Sequence, residues 1–246
     1  FLTIFSLATT AVVADVGDNF VSIKLGTSNS NDAGISTLKD QNNSSGETTD
    51  NDLGNSDLLG IGIGKYFSET FRGEISVTQR NGFKYATTLT KVDGVANTTN
   101  KYKADVESLA IFVNGYFDSQ PISVSKTSLT PYLGIGIGMS RNKMGSVDLI
   151  QTSDGAVFGK ASSNTETEFA FKFALGALIE LSDSVSMDIN YQYVDLGKFR
   201  TGNISTENGD KIISSNLAKI YFEDSFIIIL YFNLIQFIKI CYNFEF

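Results

Sequence analysis

The sequence predicts an all-β fold: an eight-stranded antiparallel up-and-down transmembrane β-barrel with long extracellular loops and short periplasmic turns. Three observations predict it. Apolar residues recur with period two along seven stretches, the faces opposite them carry charge and glycine, and the connections alternate between short and long.

Composition narrows the function. The 246 residues include 22 Gly, 19 Phe and 10 Tyr, but no His, no Trp and a single Cys. Without histidine there is no Ser-His-Asp or Cys-His nucleophile, no imidazole acid or base and no histidine metal site. Cys241 alone excludes an internal disulfide and a thiolate zinc cluster. No catalytic, cofactor-binding or metal residues are therefore expected. The formal charge of −8 and pI of about 4.6 leave no general nucleic-acid footprint. No apolar run in the first 225 residues reaches the roughly 20 that a spanning helix needs.

Residues 1–14, FLTIFSLATTAVVA, pass from an apolar stretch to small and aliphatic residues before Asp15. They read as the remnant of a secretory signal peptide, with 15–246 as a single barrel domain. The strands follow in order. Val21, Ile23 and Leu25 oppose Ser22, Lys24 and Gly26; Leu59, Ile61 and Ile63 oppose Gly60, Gly62 and Gly64. Phe71, Gly73, Ile75 and Val77 oppose Arg72, Glu74, Ser76 and Thr78. Leu109, Ile111, Val113 and Phe117 oppose Ser108, Ala110, Asn114 and Tyr116. Leu129, Leu133, Ile135, Ile137 and Met139 oppose Thr130, Tyr132, Gly134, Gly136 and Gly138. Phe169, Phe171, Phe173, Leu175, Ala177 and Ile179 oppose Ala170, Lys172, Ala174, Gly176, Leu178 and Glu180. Val185, Met187, Ile189, Tyr191 and Tyr193 oppose Ser186, Asp188, Asn190 and Gln192.

A soluble sandwich turns such apolar faces inward; a membrane barrel turns them to lipid. The polar faces decide for the barrel. They combine charge with much glycine, which lets a narrow barrel curve and close. Tyr66, Phe67, Phe71, Phe117, Tyr132, Tyr191 and Tyr193 lie towards strand ends, where an interfacial aromatic girdle belongs.

The connections 68–70 and 182–184 are short, and 118–128 is a modest turn. Those at 28–56, about 81–103, and 142–165 are long and rich in Asn, Ser, Thr, Gly and Asp, too polar to pack. Such one-sided asymmetry fits short periplasmic turns and long extracellular loops.

An even strand count demands an eighth strand. The tail, atypical over 221–246, must supply it, although its crowding of Ile, Phe, Tyr, Asn and Lys is what an AT-rich stretch read in the wrong frame gives. Residues 236–246 alternate, end on Phe246, and are expected to pair with 19–27, leaving 200–235 as an overlong loop. The alternative closes the barrel with 212–222 and leaves everything after Glu223 as an appendage.

With strands and turns placed, the chain resembles the superfamily of eight-stranded outer-membrane barrels, which takes in OmpA-like transmembrane domains, opacity-type porins and bacterial surface antigens. The resemblance rests on Gly60-Ile61-Gly62-Ile63-Gly64-Lys65-Tyr66-Phe67 running into Phe71-Arg72-Gly73-Glu74. It rests also on Asn114-Gly115-Tyr116-Phe117, on Leu129-Thr130-Pro131-Tyr132-Leu133-Gly134-Ile135-Gly136-Ile137-Gly138, and on Tyr191-Gln192-Tyr193 before Leu196-Gly197. It covers roughly residues 15–205. It implies a non-enzymatic protein of the bacterial outer membrane, a structural surface antigen or adhesin presenting variable loops. Outer-membrane lipid and lipopolysaccharide would surround it, the loops would meet host surface molecules, and it would be a monomer.

Arg72, Glu74, Lys172 and Asp188 are the candidate site residues, a charge network in the lumen. They either plug or gate it, or simply pair because buried charges must be matched. The alternative function is a narrow pore for ions or small solutes, since the inner glycines would make the lumen roomier than average. The loop acids Asp50, Asp52 and Asp57 lack the glycine and terminal glutamate of a calcium loop. The GIGIG blocks lack the helix and Lys-Ser/Thr of a phosphate loop.

Overall fold

The computed structural model describes residues 17–31, 38–39, 45–49, 53–92, 95–124, 127–151, 157–200, 202, 204–206, 211–212 and 216–233. Every regular element among them is a strand. Eight long strands form the body: β1 (Asn19–Asn31), β2 (Asn55–Ser68), β3 (Phe71–Val92), β4 (Val95–Asp118), β5 (Thr127–Met144), β6 (Asn164–Ser182), β7 (Val185–Arg200) and β8 (Asn216–Asn233). Each pairs antiparallel with its chain neighbours, and β8 returns to β1, so the ring closes. All exceed the roughly 9–11 residues that a tilted strand needs to cross a bilayer. Closure removes the open edges that hydrocarbon cannot solvate.

Register explains why the period-two pattern specifies this ring. Ile23 lies opposite Ile61, Ile61 opposite Val77, Val77 opposite Ile111, Ile111 opposite Met139 and Met139 opposite Phe169. Apolar positions therefore meet apolar positions around the circumference. A slip of one residue would turn a strand's apolar set into the lumen. The packing is inverted relative to a soluble domain: Ile61 is 54% exposed and Leu175 61%, while Arg72 is 0% and Lys24 1%. Phe67, Phe71, Phe117 and Tyr191 point outward, as a girdle requires. Tyr132 and Tyr66 do not. Tyr132 is buried inside, and Tyr66 packs edge-on against Phe20 within the short-turn end. Strand phase, not nearness to a strand end, decides which way an aromatic points.

Two of the tight turns share a device. Ser68 faces Phe71 and Ser182 faces Val185, leaving two residues between. Thr70 N–H donates to Ser68 Oγ (3.3 Å) and Ser184 N–H to Ser182 Oγ (3.4 Å), the hydroxyl turn that serine favours.

Three expectations are corrected. The segment 81–103 is no loop: β3 and β4 continue as one hairpin to Val92 and Val95. Short strands also occupy the other long connections, Ser45–Thr49 against β3, and Val147–Gln151 with Val157–Ala161 beside β4. Polar composition argued against burial there, but a solvated hairpin needs only ladder partners, and its Thr, Val and Tyr favour strands. Finally, the partner of β1 is neither 236–246 nor 212–222. Phe20 lies opposite Asn233, Leu25 opposite Ile228 and Asn31 opposite Tyr221. The nearly unbroken apolar run that starts at Phe226 does not alternate. It enters β8 because Ile229 and Tyr231 fill the lumen while Leu230 is half-buried beside them. Residues 1–14 and 236–246 lie outside the described residues.

Candidate functional site: the filled lumen

The site is built from the inward positions of the eight strands. At the short-turn end Arg72 of β3 projects across the barrel. Its Nε donates to both carboxylate oxygens of Asp118 at 3.1 Å. Its guanidinium carbon lies 4.3 Å from the ring centre of Tyr116, 4.7 Å from Tyr132 and 5.0 Å from Tyr231. A desolvated cation gains from such aromatic faces. The same three rings tie the neighbouring carboxylates. Tyr116 donates to Glu74 Oε2 (2.9 Å), and Tyr132 and Tyr231 donate to Asp188 (2.9 and 3.0 Å). Asn190 Nδ2 also donates to Asp188, at 3.0 Å.

One step further in, Lys24 Nζ reaches Glu74 at 2.8 and 2.9 Å. Ser22 Oγ also donates to Glu74, and Asn114 Nδ2 reaches it at 3.0 Å. Lys172 extends over the Phe112 ring, 5.1 Å from its centre. Above it Arg80 Nε donates to Ser28 Oγ at 2.9 Å. Among the described residues the buried charges are Lys24, Arg72, Arg80 and Lys172 against Glu74, Asp118, Asp188 and Asp195, four of each sign. Among these buried groups the formal charges balance.

The inner glycines seat this network. A Cβ at Gly62 would stand 2.4 Å from Glu74 Oε1 and 2.6 Å from Ser22 Oγ; one at Gly136 would stand 2.5 Å from Asn114 Oδ1 and 2.9 Å from the Lys172 stem. The glycines make room, as expected, but the room is occupied. The extracellular half is filled differently. Phe112, Ala170, Val194, Leu196, Phe199, Phe83, Met144 and Val147 form one apolar cluster across the barrel and its rim. Ser140 and Asn142 donate to the Leu196 carbonyl at 2.5 and 2.6 Å.

Of the four charges picked from the sequence, Arg72, Glu74 and Asp188 converge through the tyrosines, and Lys172 lies on Phe112. Arg72 bonds Asp118 directly, not Glu74 or Asp188. Lys24 and Asp118 escaped notice. Lys24 stands on the polar face of its strand, and Asp118 is the next inward position after Asn114 and Tyr116, so the alternation carried both signals. Asp118 was counted as the start of a turn.

At the short-turn end this network underlies a vestibule of about 100 Å³, lined by Phe20, Tyr66, Tyr231, Asp118 and Glu180 among others.

The chain is similar to known proteins in the same sense. The family described as outer membrane protein beta-barrel domain matches residues 1–215. A Rickettsia bellii protein whose name marks it as a candidate adhesin is 30% identical over 148 residues, 59% of this chain and 61% of that protein. Outer membrane protein PagN of Salmonella typhimurium is 29% identical over 96 residues, 39% of this chain and 37% of that one. The crystal structure of Neisserial surface protein A aligns with a TM-score of 0.49 at 13% identity, covering 88% of this chain and 97% of that one. The chain spans about three-fifths of the length of the adhesin-named relatives it matches. The alternating strands, the closed ring and the family match together make this chain a member of the outer-membrane β-barrel domain family, resident in the bacterial outer membrane.

Proposed function

We propose that this barrel is a surface adhesin or antigen without enzymatic activity. It stands as a monomer in lipid and lipopolysaccharide and offers its extended hairpins to host surface molecules. Residues 1–14 would direct its export. The observation that carries the reading is the contrast between a filled lumen and long hairpins on one side. Among the described residues the lumen is occupied by ion pairs below and apolar side chains above, whereas β3 and β4 carry backbone well past the membrane. The adhesin-named relatives support it. So does the engagement of the buried carboxylates of Glu74, Asp118 and Asp188 by donors, which leaves none of these three poised as a general base. Within the wall itself every strand is paired on both sides, so the wall gives a second copy no edge to add to, which supports the monomer.

The test is expression in a non-adherent bacterium with a count of cells bound to cultured epithelium. Replacing 89–100 by Asn-Gly recloses the ladder at Thr88 and Lys101, which are partners, and leaves Phe83 and Tyr85 in the cluster. The full chain should raise binding at least about tenfold over empty vector, and the trimmed chain should lose that gain while keeping a heat-modifiable gel shift. A full chain no better than vector overturns the proposal. Steady single-channel conductance in planar bilayers would restore the pore reading.

A further inference from the structure

On the lipid-facing side, Gly73 of β3 and Gly115 of β4 are direct partners. Both occupy outward positions where the neighbours above and below carry large side chains: Phe71 with Phe117, and Ile75 with Val113. Beside Gly73 lies an outward groove of about 480 Å³, walled by Ile63, Phe67, Phe71, Ile75 and Val113. The Phe67 ring leans over Gly73, 2.9 Å from where its Cβ would be, and the Phe71 ring lies over Gly115 at 3.4 Å. The groove is therefore short, apolar and bounded by two aromatic rings beside the 68–70 turn.

Lys65 stands at its side, opposite both Asn19 and Gly73. Among the outward-facing described residues of 19–25, 59–67, 71–77, 109–117, 129–139 and 169–179, Lys65 alone is charged. It is exposed, and no ion pair engages it among the described residues. A lone ammonium on a lipid-facing surface is costly at depth. It is tolerated near the interface, where it reaches headgroup phosphate. Its place one turn from the periplasmic end puts it at that interface.

We propose that this groove binds one phospholipid of the periplasmic leaflet. An acyl chain lies in the dent beside Gly73, against Ile63, Ile75, Val113 and the outer edges of the contacting Phe67 and Phe71 rings, whose centres are 5.9 Å apart, and the phosphate is held by Lys65. The charge complementarity favours an anionic headgroup. The site is independent of the adhesive role of the hairpins.

Native mass spectrometry of the refolded full chain in micelles tests it, with dioleoyl phosphatidylglycerol and dioleoyl phosphatidylcholine as the probes. The unaltered chain should retain one phosphatidylglycerol in preference to phosphatidylcholine. Gly73→Leu fills the groove and should lower retention of both at least about tenfold. Lys65→Gln should abolish the headgroup preference while keeping residual binding of both, since the apolar dent remains. Lys143→Gln, at the other end of the barrel, should change nothing. If Gly73→Leu does not refold, the Lys65→Gln comparison decides alone, because it leaves backbone and groove intact. Equal retention of the two lipids by the unaltered chain, or an unchanged preference in Lys65→Gln, overturns the proposal.

Discussion

The two halves of the lumen solve the same problem with opposite chemistry. In the periplasmic half, Arg72, Asp118, Lys24, Glu74 and Asp188 are buried and joined through Tyr116, Tyr132 and Tyr231. In the extracellular half, Phe83, Phe112, Val194, Leu196 and Phe199 pack as a conventional core. Lipid outside the wall supplies no hydrophobic drive to the inside, so each half must be held by its own complementarity. The lower half depends on pairs, where one removal strands a charge. The upper half depends on volume, where one removal leaves a cavity.

The largest effect expected is therefore in the lower half. Lys24→Met leaves Glu74 buried without its cation and should cost about 3–5 kcal/mol in a urea titration of the refolded barrel. Adding Glu74→Gln should recover most of that loss. No recovery would mean that the lysine stem, not its charge, matters. In the upper half Leu196→Ala should cost about 2–5 kcal/mol through a cavity, with no partner substitution able to restore it except one that refills the space. Rescue of Leu196→Ala by a polar change would break the contrast.

Both halves can next be set against the outer wall. Ile135→Arg faces lipid and should cost about 2–4 kcal/mol if the site is near the midplane. Gly136→Arg, one residue on, should act instead by crowding Lys172 and Asn114, whose atoms stand 2.9 and 2.5 Å from any Cβ there. The two variants should therefore respond differently to bilayer thickness in folding titrations. A smaller effect belongs to Gly62→Ala, where overpacking against Glu74 and Ser22 should cost about 1–3 kcal/mol. Smallest of all, Lys143→Ala removes an exposed pair with Glu107 at 3.3 Å and should shift stability by about 1 kcal/mol or less.

Much of this was legible in the sequence because inside and outside differ by one residue step. Alternation at 129–139 and 169–180 placed Ile135 and Phe173 outward and Gly136 and Lys172 inward, and no tertiary effect competes with that phase. Tyr132 shows the limit of a weaker rule: strand-end position suggested the girdle, while its own phase, opposite Leu133, already put it inside. The pairing of Arg72 with Asp118 was hidden because it joins the foot of β3 to the foot of β4, and Asp118 resembled a turn residue. β8 was misplaced for a different reason. Phe226 to Asn233 lacks alternation, since inward Ile229 and Tyr231 sit in an apolar layer beside Phe20 and Leu178. Where both faces of a strand are apolar, periodicity says nothing about register, and only the pairing partner does.

The β3–β4 hairpin has a mechanical consequence. Its strands run 22 and 24 residues and stay paired apart from register shifts at Asn81/Phe83 and Leu89/Lys91. About 10 residues suffice to cross the bilayer, so the remaining dozen or so add roughly 40 Å of stiff ribbon at about 3.3 Å per residue. A contact made at the tip would thus be held well away from the lipid, on a shaft whose ladder is broken by a bulge at Gly82, where φ is +108°. Tension at that tip runs along the strands into the wall, where β2 and β5 flank the pair. Their backbone bonds would bear that force in shear, many at once, instead of being peeled one by one.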